Sequence, residues 1–237
     1  MFQTFIKALL SQKASKLKGN IYHNTQIVFS YNTNRIEGSK LTKDETRYIF
    51  ETNTTPEKSN NIDDIIETIN HFALFDYMLD HYDEDLSEEM IKKFHKILKS
   101  GTSDFRKDWF MVGEYKTLPN EVSGRDTTHP KEVEKEMKKL LSKYKDKKEK
   151  TIYDIIEFHY YFERIHPFQD GNGRVGRIIM FKECLKNEII PFIIDDKHKL
   201  LYYRGFKEYE KDKNYLIDTC LACQDEYIKL IKKFLEV

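Results

Sequence analysis

Apolar residues recur every three or four positions along most of the chain, which is the spacing of an amphipathic helix. Between Asp63 and Tyr82 they form a face broad enough for a central helix. A second apolar stripe runs from Glu88 to Ser100, with Ser87 placed to cap that helix and Gly101 placed to end it. Further helices are expected after Pro130, Thr151, Arg174 and Asp195. The pattern therefore predicts a nearly all-helical protein.

One stretch, from Asp104 to His129, lacks the helical period. Gly113, Pro119 and Gly124 interrupt it, so we expect a long irregular loop or a short hairpin there. Loops of that length are usually functional.

Composition narrows the class of protein. At 237 residues the chain can bury one substantial core, and 40 basic residues balance 40 acidic ones. This balance gives no overall attraction to nucleic acid or to an anionic membrane, and no partner of either kind is expected. No stretch approaches the roughly 20 apolar residues of a membrane span, so a cytoplasmic location is expected. The odd number of cysteines suits a reducing compartment, and Cys220 and Cys223 fall in a helical pattern that indicates packing.

The residues best suited to chemistry lie between His166 and Arg177. Proline disfavours helical geometry in the residue before it, so Pro167 predicts that His166 ends a helix, where its imidazole can accept a proton. The run from Gly171 to Gly173 leads directly into the next helix. Backbone N–H groups in such a turn, together with the positive end of the helix, form a cradle for an anion.

Charged side chains beside this cradle indicate a polyphosphate ligand. Arg174 and Arg177 begin the helix that follows the glycines, where cations are unfavourable unless an anion compensates. Asp170 is placed to hold a magnesium ion that keeps most of its waters and bridges substrate phosphates.

Taken together, the segment resembles the signature of Fic-domain proteins, H-P-F-x-D-G-N-G-R-x-x-R, with every defined position filled. The surrounding pattern is similar from about Asp63 to Leu221. The resemblance implies an all-α fold, a Fic-type helical bundle with a short β-hairpin flap. It also implies an enzyme that uses ATP with Mg²⁺ and moves AMP to a Tyr, Ser or Thr hydroxyl of a protein target, releasing pyrophosphate.

The resemblance also implies a role for each residue of the site. His166 is the general base, and Asp170 binds magnesium. Phe168, counted among the nucleotide-binding residues, anchors the loop in the core. Gly171, Asn172 and Gly173 form the anion hole, Arg174 contacts the phosphates, and Arg177 receives the terminal phosphate. Tyr203 and Phe206 lie near the position of the adenine pocket in the family.

A flap that presents the target chain is expected ahead of the Pro130 helix. The segment from Gly113 to Val122 resembles it. An extended target could pair with such an edge through backbone hydrogen bonds. The residues expected to contact the target are Lys116, Thr117, Leu118 and Val122.

An inhibitory motif is expected near the N-terminus. The run from Thr33 to Gly38 resembles the [S/T]-x-x-x-E-[G/N] motif of Fic proteins, which implies that Glu37 reaches Arg177 and occupies the arginine meant for the terminal phosphate. A capping box formed by Thr42 and Glu45 predicts that a new helix starts soon afterwards. We therefore divide the chain into an N-terminal helical region, residues 1–60, and a catalytic core with C-terminal helices, residues 61–237.

Other functions are compatible with the same residues. The site could transfer UMP, phosphocholine or phosphate, although the intact Gly171 and Arg177 favour AMP. Glu37 could instead position a water that removes AMP from a modified protein. A nucleotide-sensing module is a third possibility, but it would need no general base, and His166 is intact. Self-modification and a homodimer are left open by the sequence.

Overall fold

The computed structural model describes residues 1–15, 17–56, 61–122 and 124–235. Within these ranges the chain forms ten α-helices and one antiparallel hairpin, as the sequence predicts. The helices are α1 Phe2–Ser15, α2 Ile21–Ile36, α3 Lys43–Thr52, α4 Ile62–Asp80, α5 Glu88–Lys99, α6 Pro130–Lys145, α7 Ile152–Ile165, α8 Asn172–Lys186, α9 Lys199–Glu208 and α10 Asn214–Leu235. The strands are β1 Glu121–Val122 and β2 Arg125–Asp126.

Local capping fixes several of these boundaries. The Ser87 hydroxyl accepts the backbone N–H of Met90 at 3.1 Å and starts α5. Thr42 and Glu45 form the expected capping box at the start of α3. Pro130 is the first residue of α6, and Gly101 has the left-handed φ of 74° expected after α5.

The most buried helix is α8, and not the helix over residues 63–82 that the apolar pattern favours. Buried residues cover almost the whole circumference of α8, which packs against α2, α4, α5 and α7. A helix surrounded on every side has little amphipathic contrast, so its central position is hard to predict from periodicity. The burial places the start of α8, with its glycines, among the ends of several neighbouring helices.

The N-terminal helices join the same hydrophobic core. Phe29 of α2 stacks on Phe181 of α8 with ring centroids 5.2 Å apart. The Thr25 hydroxyl lies 2.7 Å from that of Tyr227 in α10. These contacts pack α2 against α8 and α10. The boundary expected at residue 60 lies outside the described residues.

Two further expectations concern the packing of the cysteines and the absence of a membrane-spanning helix. Cys220 and Cys223 are buried in α10 as free thiols, which confirms the prediction that they pack within a helix. No described helix combines the length and the apolar character needed to cross a bilayer.

The loop between α5 and α6 contains the hairpin, but at a later position than the sequence suggests. The strands pair Val122 with Arg125, whereas the residues from Gly113 to Asn120 form turns. The Gly113 N–H is donated to the His95 ring, and the Lys116 N–H to the Pro167 carbonyl, so neither is available for a strand partner. The predicted flap boundaries were therefore wrong.

Candidate active site

His166 lies at the junction between α7 and the loop that follows it. Its backbone N–H is donated to the Phe162 carbonyl at 2.9 Å, and its φ of 51° is left-handed, which turns the chain sharply out of the helix. The imidazole lines a cavity, and its Nδ1 atom lies 3.7 Å from Oε2 of Glu163, one turn earlier in α7. This geometry leaves Nε2 as the nitrogen that can meet a substrate.

The loop after His166 is closed by the side chain of Asn172. The Phe168 N–H is donated to Oδ1 of Asn172 at 2.8 Å, and Nδ2 of Asn172 is donated to the Phe168 carbonyl at 2.9 Å. The Phe168 ring is fully buried and stacks on His95 with centroids 4.0 Å apart. Phe168 thus anchors the loop in the core, where it contacts no cavity. The loop is held in one conformation by its own residues.

The start of α8 supplies the backbone donors. Asn172 is the first residue of the helix, and the first N–H groups of a helix have no partner within it. They open onto a cavity of about 1080 Å³. Among the predicted residues, the cavity wall includes Val122, His166, Asp170, Gly171, Asn172, Gly173, Arg177, Tyr203, Phe206 and Glu37. The site can therefore place an anion beside a proton acceptor.

Arg177 is held by both residues of the N-terminal motif. Its Nη2 atom lies 2.5 Å from Oε1 of Glu37, and its Nε atom donates to the Thr33 hydroxyl at 2.7 Å. Burial alone would lower the pKa of Arg177, but the Glu37 carboxylate raises it, so the guanidinium stays charged. A Cβ atom on Gly173 would lie 2.3 Å from Oε1 of Glu37, so a side chain at this position would require the carboxylate to move.

Arg174 does not reach the cavity, in contrast to the expected phosphate contact. The side chain is buried beneath the loop and donates to Glu67 of α4 and, at 3.2 Å, to Oδ2 of Asp170. Its Nη1 atom also lies 3.5 Å from Oδ1 of Asn34. In this arrangement Arg174 orients Asp170 and is itself oriented by Glu67.

Asp170 forms a second ion pair, with a lysine of α5. Lys99 is 2% exposed, and its ammonium lies 2.7 Å from Oδ2 of Asp170, 2.6 Å from Glu67 and 2.7 Å from Asp104. Burial would raise the pKa of Asp170, but Arg174 and Lys99 hold it well below its usual range. The carboxylate is therefore ionised at neutral pH.

The surroundings of Asp170 fit a magnesium ion. Both cations contact Oδ2, and the side chain is 48% exposed to the cavity, so Oδ1 is available to a metal. Within the described ranges no group of three His, Cys, Asp or Glu side chains is arranged to hold a metal ion. A single carboxylate is the ligand set expected where substrate phosphates and water complete the coordination of Mg²⁺.

Three residues of the site were missed at the sequence level: His95, Lys99 and Glu67. The His95 ring accepts the Gly113 N–H at 2.9 Å, and its Nε2 atom lies 3.1 Å from the Asp170 carbonyl oxygen. His95 and Lys99 lie on the buried side of α5. Polar residues at apolar positions of a helix are the signal that could have identified them.

The predicted flap residues differ in their exposure. Lys116 is 4% exposed and donates to Oδ1 of Asn120 at 2.6 Å, so its side chain points away from a target. Thr117 and Leu118 are exposed but lie before the strands, while Val122 is exposed in β1.

Tyr203 and Phe206 of α9 lie in the cavity wall, where the adenine pocket was expected. The Tyr203 hydroxyl donates to the Ile36 carbonyl at 3.0 Å, directly before Glu37. This part of the cavity wall is therefore in contact with the end of α2.

Comparison with known proteins shows which sequences and structures this arrangement is similar to. The family model described as the Fic/DOC family matches residues 85–184. The protein adenylyltransferase Fic of Nematostella vectensis is 28% identical over 187 residues, which cover 73% of this chain and 41% of that protein. The protein adenylyltransferase fic-1 of Caenorhabditis elegans is 25% identical over 187 residues, covering 76% of this chain and 35% of that protein. The chain thus spans about two fifths or less of these relatives' length.

A solved structure shows the same fold over the whole chain. A Fic domain containing signaling protein from Bacteroides thetaiotaomicron superposes with a TM-score of 0.81 at 23% identity, covering 98% of this chain and 96% of that one. The matched residues 85–184 contain the complete His166 to Arg177 segment and helices α5 to α7, while α2 and α4 lie outside them. Residues 85–184 therefore match the Fic/DOC family model, and the chain shares the fold of this Fic domain containing protein.

Proposed function

We propose that the protein is an autoinhibited protein adenylyltransferase, which moves AMP from ATP to a Tyr, Ser or Thr hydroxyl of a protein. The observation that carries this proposal is the single cavity in which His166, the free N–H groups of α8, Asp170 and Arg177 meet. The names of the relatives from N. vectensis and C. elegans support the same activity.

The reaction requires a base and an anion site at a fixed separation. The acceptor oxygen attacks the α-phosphorus while Nε2 of His166 takes the hydroxyl proton. The new P–O bond forms as the bond between the α-phosphorus and the oxygen bridging to the β-phosphate breaks, and pyrophosphate leaves. The N–H groups at the start of α8 stabilise the developing negative charge, and Asn172 keeps their loop in place before the substrate arrives.

Asp170 would hold Mg²⁺, with Lys99 and Arg174 keeping its carboxylate oriented and ionised. When bound, the metal neutralises phosphate charge and improves pyrophosphate as a leaving group.

Glu37 acts as the brake in this proposal. The Arg177 guanidinium that would receive the terminal phosphate is already paired with Glu37, and Thr33 orients it towards that carboxylate. ATP that enters the cavity then lacks its last phosphate contact, and its α-phosphorus is not held for in-line attack. The brake has to move before transfer can occur.

The adenine base would lie against Tyr203 and Phe206, and the acceptor would extend along the hairpin beside Val122. Backbone pairing with a short exposed strand aligns a hydroxyl with little demand on the target sequence. The buried thiols of a reduced chain support a cytoplasmic location. We also propose that the protein modifies itself, which the same transfer assay tests. A homodimer is a further proposal, which a measurement of mass in solution tests.

A second candidate is the removal of AMP from a modified protein. It is favoured by the position of Glu37, whose carboxylate is 29% exposed within the cavity wall and could orient a water. In this reaction the water attacks the phosphorus, the P–O bond to the protein breaks, and free AMP leaves.

The proposal is tested with wild type, Glu37→Gly and His166→Ala, each incubated with labelled ATP, UTP and CDP-choline. Modified residues are then mapped by mass. We expect AMP on hydroxyls with Glu37→Gly and ATP only, and none with His166→Ala in the same background. Labelling from UTP or CDP-choline would show that the protein uses a donor other than ATP. Nucleotide binding without transfer by any variant would favour a sensor.

A further inference from the structure

The base of the hairpin is tied to the catalytic loop by three polar residues, Lys116, Asn120 and Thr127, that lie outside the His166 to Arg177 motif. Lys116, Asn120 and Thr127 flank strands β1 and β2 on both sides and contact one another; together they are called the hairpin clamp below. The Thr127 hydroxyl donates to the Asn120 carbonyl at 2.9 Å, which closes the base of the hairpin. The two strands have only two residues each, so such contacts must supply much of their order.

Lys116 is unusual because its buried ammonium is bound by neutral oxygens. Its Nζ donates to Oδ1 of Asn120 at 2.6 Å and to the Thr127 hydroxyl. Among the described residues no carboxylate lies within ion-pair distance, and burial lowers the pKa of Lys116 to about 8. Burying a cation without a counter-ion is unfavourable. A surface hairpin does not need a buried lysine to stay soluble. The burial of Lys116 is therefore better explained by a role in holding the hairpin in position.

The clamp also reaches the loop between His166 and Asp170. The backbone N–H of Lys116 donates to the Pro167 carbonyl at 2.9 Å. Nδ2 of Asn120 donates to the Phe168 carbonyl at 3.2 Å and lies 3.4 Å from that of Gln169. Consecutive carbonyls of the catalytic loop are therefore bonded to the same segment that carries the hairpin. A shift of the catalytic loop therefore requires a shift of the hairpin, and the reverse.

We propose that the hairpin clamp fixes the position of the acceptor strand relative to His166, and that Lys116, Asn120 and Thr127 are positioning residues for the acceptor and not for the nucleotide. This inference rests on the proposed function. The acceptor is an extended protein segment, whose backbone pairs with the hairpin. ATP would contact the start of α8 and the side chains of α9, while the hairpin and Thr127 line the same cavity, where the acceptor would lie.

The separation of these roles gives a specific expectation. A displacement of about 1 Å between reacting groups can lower a rate roughly 100-fold. Loosening the hairpin should therefore reduce transfer strongly, while ATP keeps its contacts with α8 and α9.

The test uses the full chain in the Glu37→Gly background, with Lys116→Met, Thr127→Val and Thr127→Ser. Thr127→Val keeps the shape of the side chain and removes its hydroxyl, while Thr127→Ser retains the hydroxyl. Lys139→Met removes an exposed lysine, 78% accessible, from α6 as the matched control. For each variant we would measure ATP affinity by calorimetry, transfer of labelled AMP to the chain and to lysate proteins, and amide exchange in both strands.

We expect Lys116→Met and Thr127→Val to lower transfer about tenfold or more, with ATP affinity changed by less than about twofold. Exchange should accelerate in the strands but not in α6, and both Thr127→Ser and Lys139→Met should behave as the parent. Equal losses of ATP affinity and transfer, or unchanged exchange in the strands, would overturn the proposal. Absence of transfer in the Glu37→Gly parent would instead count against the proposed function, and amide exchange would still decide whether the clamp orders the hairpin.

Discussion

Oε1 of Glu37 lies 2.5 Å from Nη2 of Arg177, although the two residues are 140 positions apart in the chain. The contact joins the end of α2 to the first turns of α8, and both side chains border the cavity that contains His166. An arginine so paired is unavailable to a phosphate. The relationship is the physical basis of the proposed brake, and it also determines which substitutions should release it.

Thr33→Val should release the brake in part. The substitution removes the hydroxyl that accepts from Nε of Arg177 at 2.7 Å but leaves the Glu37 contact intact. Because Glu37 stays paired with Arg177, only part of the about 1.5–3 kcal/mol of a hydrogen bond to a charged group is released from the brake, so AMP transfer should rise a few-fold, less than for loss of Glu37. Initial rates at fixed ATP measure the effect.

The control for this prediction is Thr219→Val, which removes a hydroxyl from α10 that bonds only to its own helix, at Tyr215. A rise in transfer of the same size in both variants would show that Thr33 has no special relation to Arg177.

Asp170→Asn should increase the requirement for Mg²⁺. The amide keeps the shape of the side chain but loses the charge that would hold the cation, so half-maximal transfer should need about tenfold more Mg²⁺. Asp104→Asn is the matched control, because Asp104 also contacts Lys99 at 2.7 Å but does not line the cavity. Identical Mg²⁺ titrations for Asp170→Asn and its parent would remove Asp170 from the metal site.

Mild acid should destabilise the fold through buried histidines. Burial lowers the pKa of His71 to about 3, that of His95 to about 3 and that of His159 to about 4, from an ordinary value of 6.5. Below pH 6.5 the unfolded chain takes up protons that the folded chain refuses. The stability present above pH 6.5 is therefore lost as the pH falls towards these lower values.

His71→Leu tests this effect, since both ring nitrogens of His71 are buried without a hydrogen-bond partner among the described residues. Between pH 7 and pH 5 the wild type should lose about 1–2 kcal/mol more unfolding free energy than the variant. Urea unfolding at the two values gives the difference. The same loss in both proteins would assign the acid sensitivity to other groups.

Gly176→Ala should loosen the packing of α8 against α7. A Cβ at this position would lie 2.6 Å from the ring of His159 and 3.1 Å from Oε1 of Glu163. Overpacking of this kind costs about 1–3 kcal/mol, and transfer should also fall because α7 ends at His166. Adding His159→Ala should restore part of the stability, since it vacates the same space. Additive losses in the double variant would contradict this contact.

The sequence was sufficient for features whose cause is local. The helix caps, the turn of Gly171 before α8 and the position of His166 at the end of α7 depend on neighbours within a few positions. The ion cluster of Lys99, Glu67 and Asp170 was not predictable in this way, because it is formed by three separate elements.

Two of the departures from expectation, the hairpin and Arg174, have causes that the sequence does not display. Strands of two residues leave no alternation in the sequence, so the hairpin was placed too early. Arg174 was expected at the phosphates, but Glu67 from α4 holds it beneath the loop, and that partner is visible only in three dimensions.

The most direct measurement of the central claim is the rate of AMP transfer from α-labelled ATP by wild type and by Glu37→Gly, at saturating ATP and Mg²⁺. The loss of a charge-assisted contact of about 1.5–3 kcal/mol corresponds to roughly a 10- to 100-fold change. We expect Glu37→Gly to be faster than wild type by a factor in this range, and His166→Ala in that background to abolish the gain. Equal rates for wild type and Glu37→Gly would contradict the account.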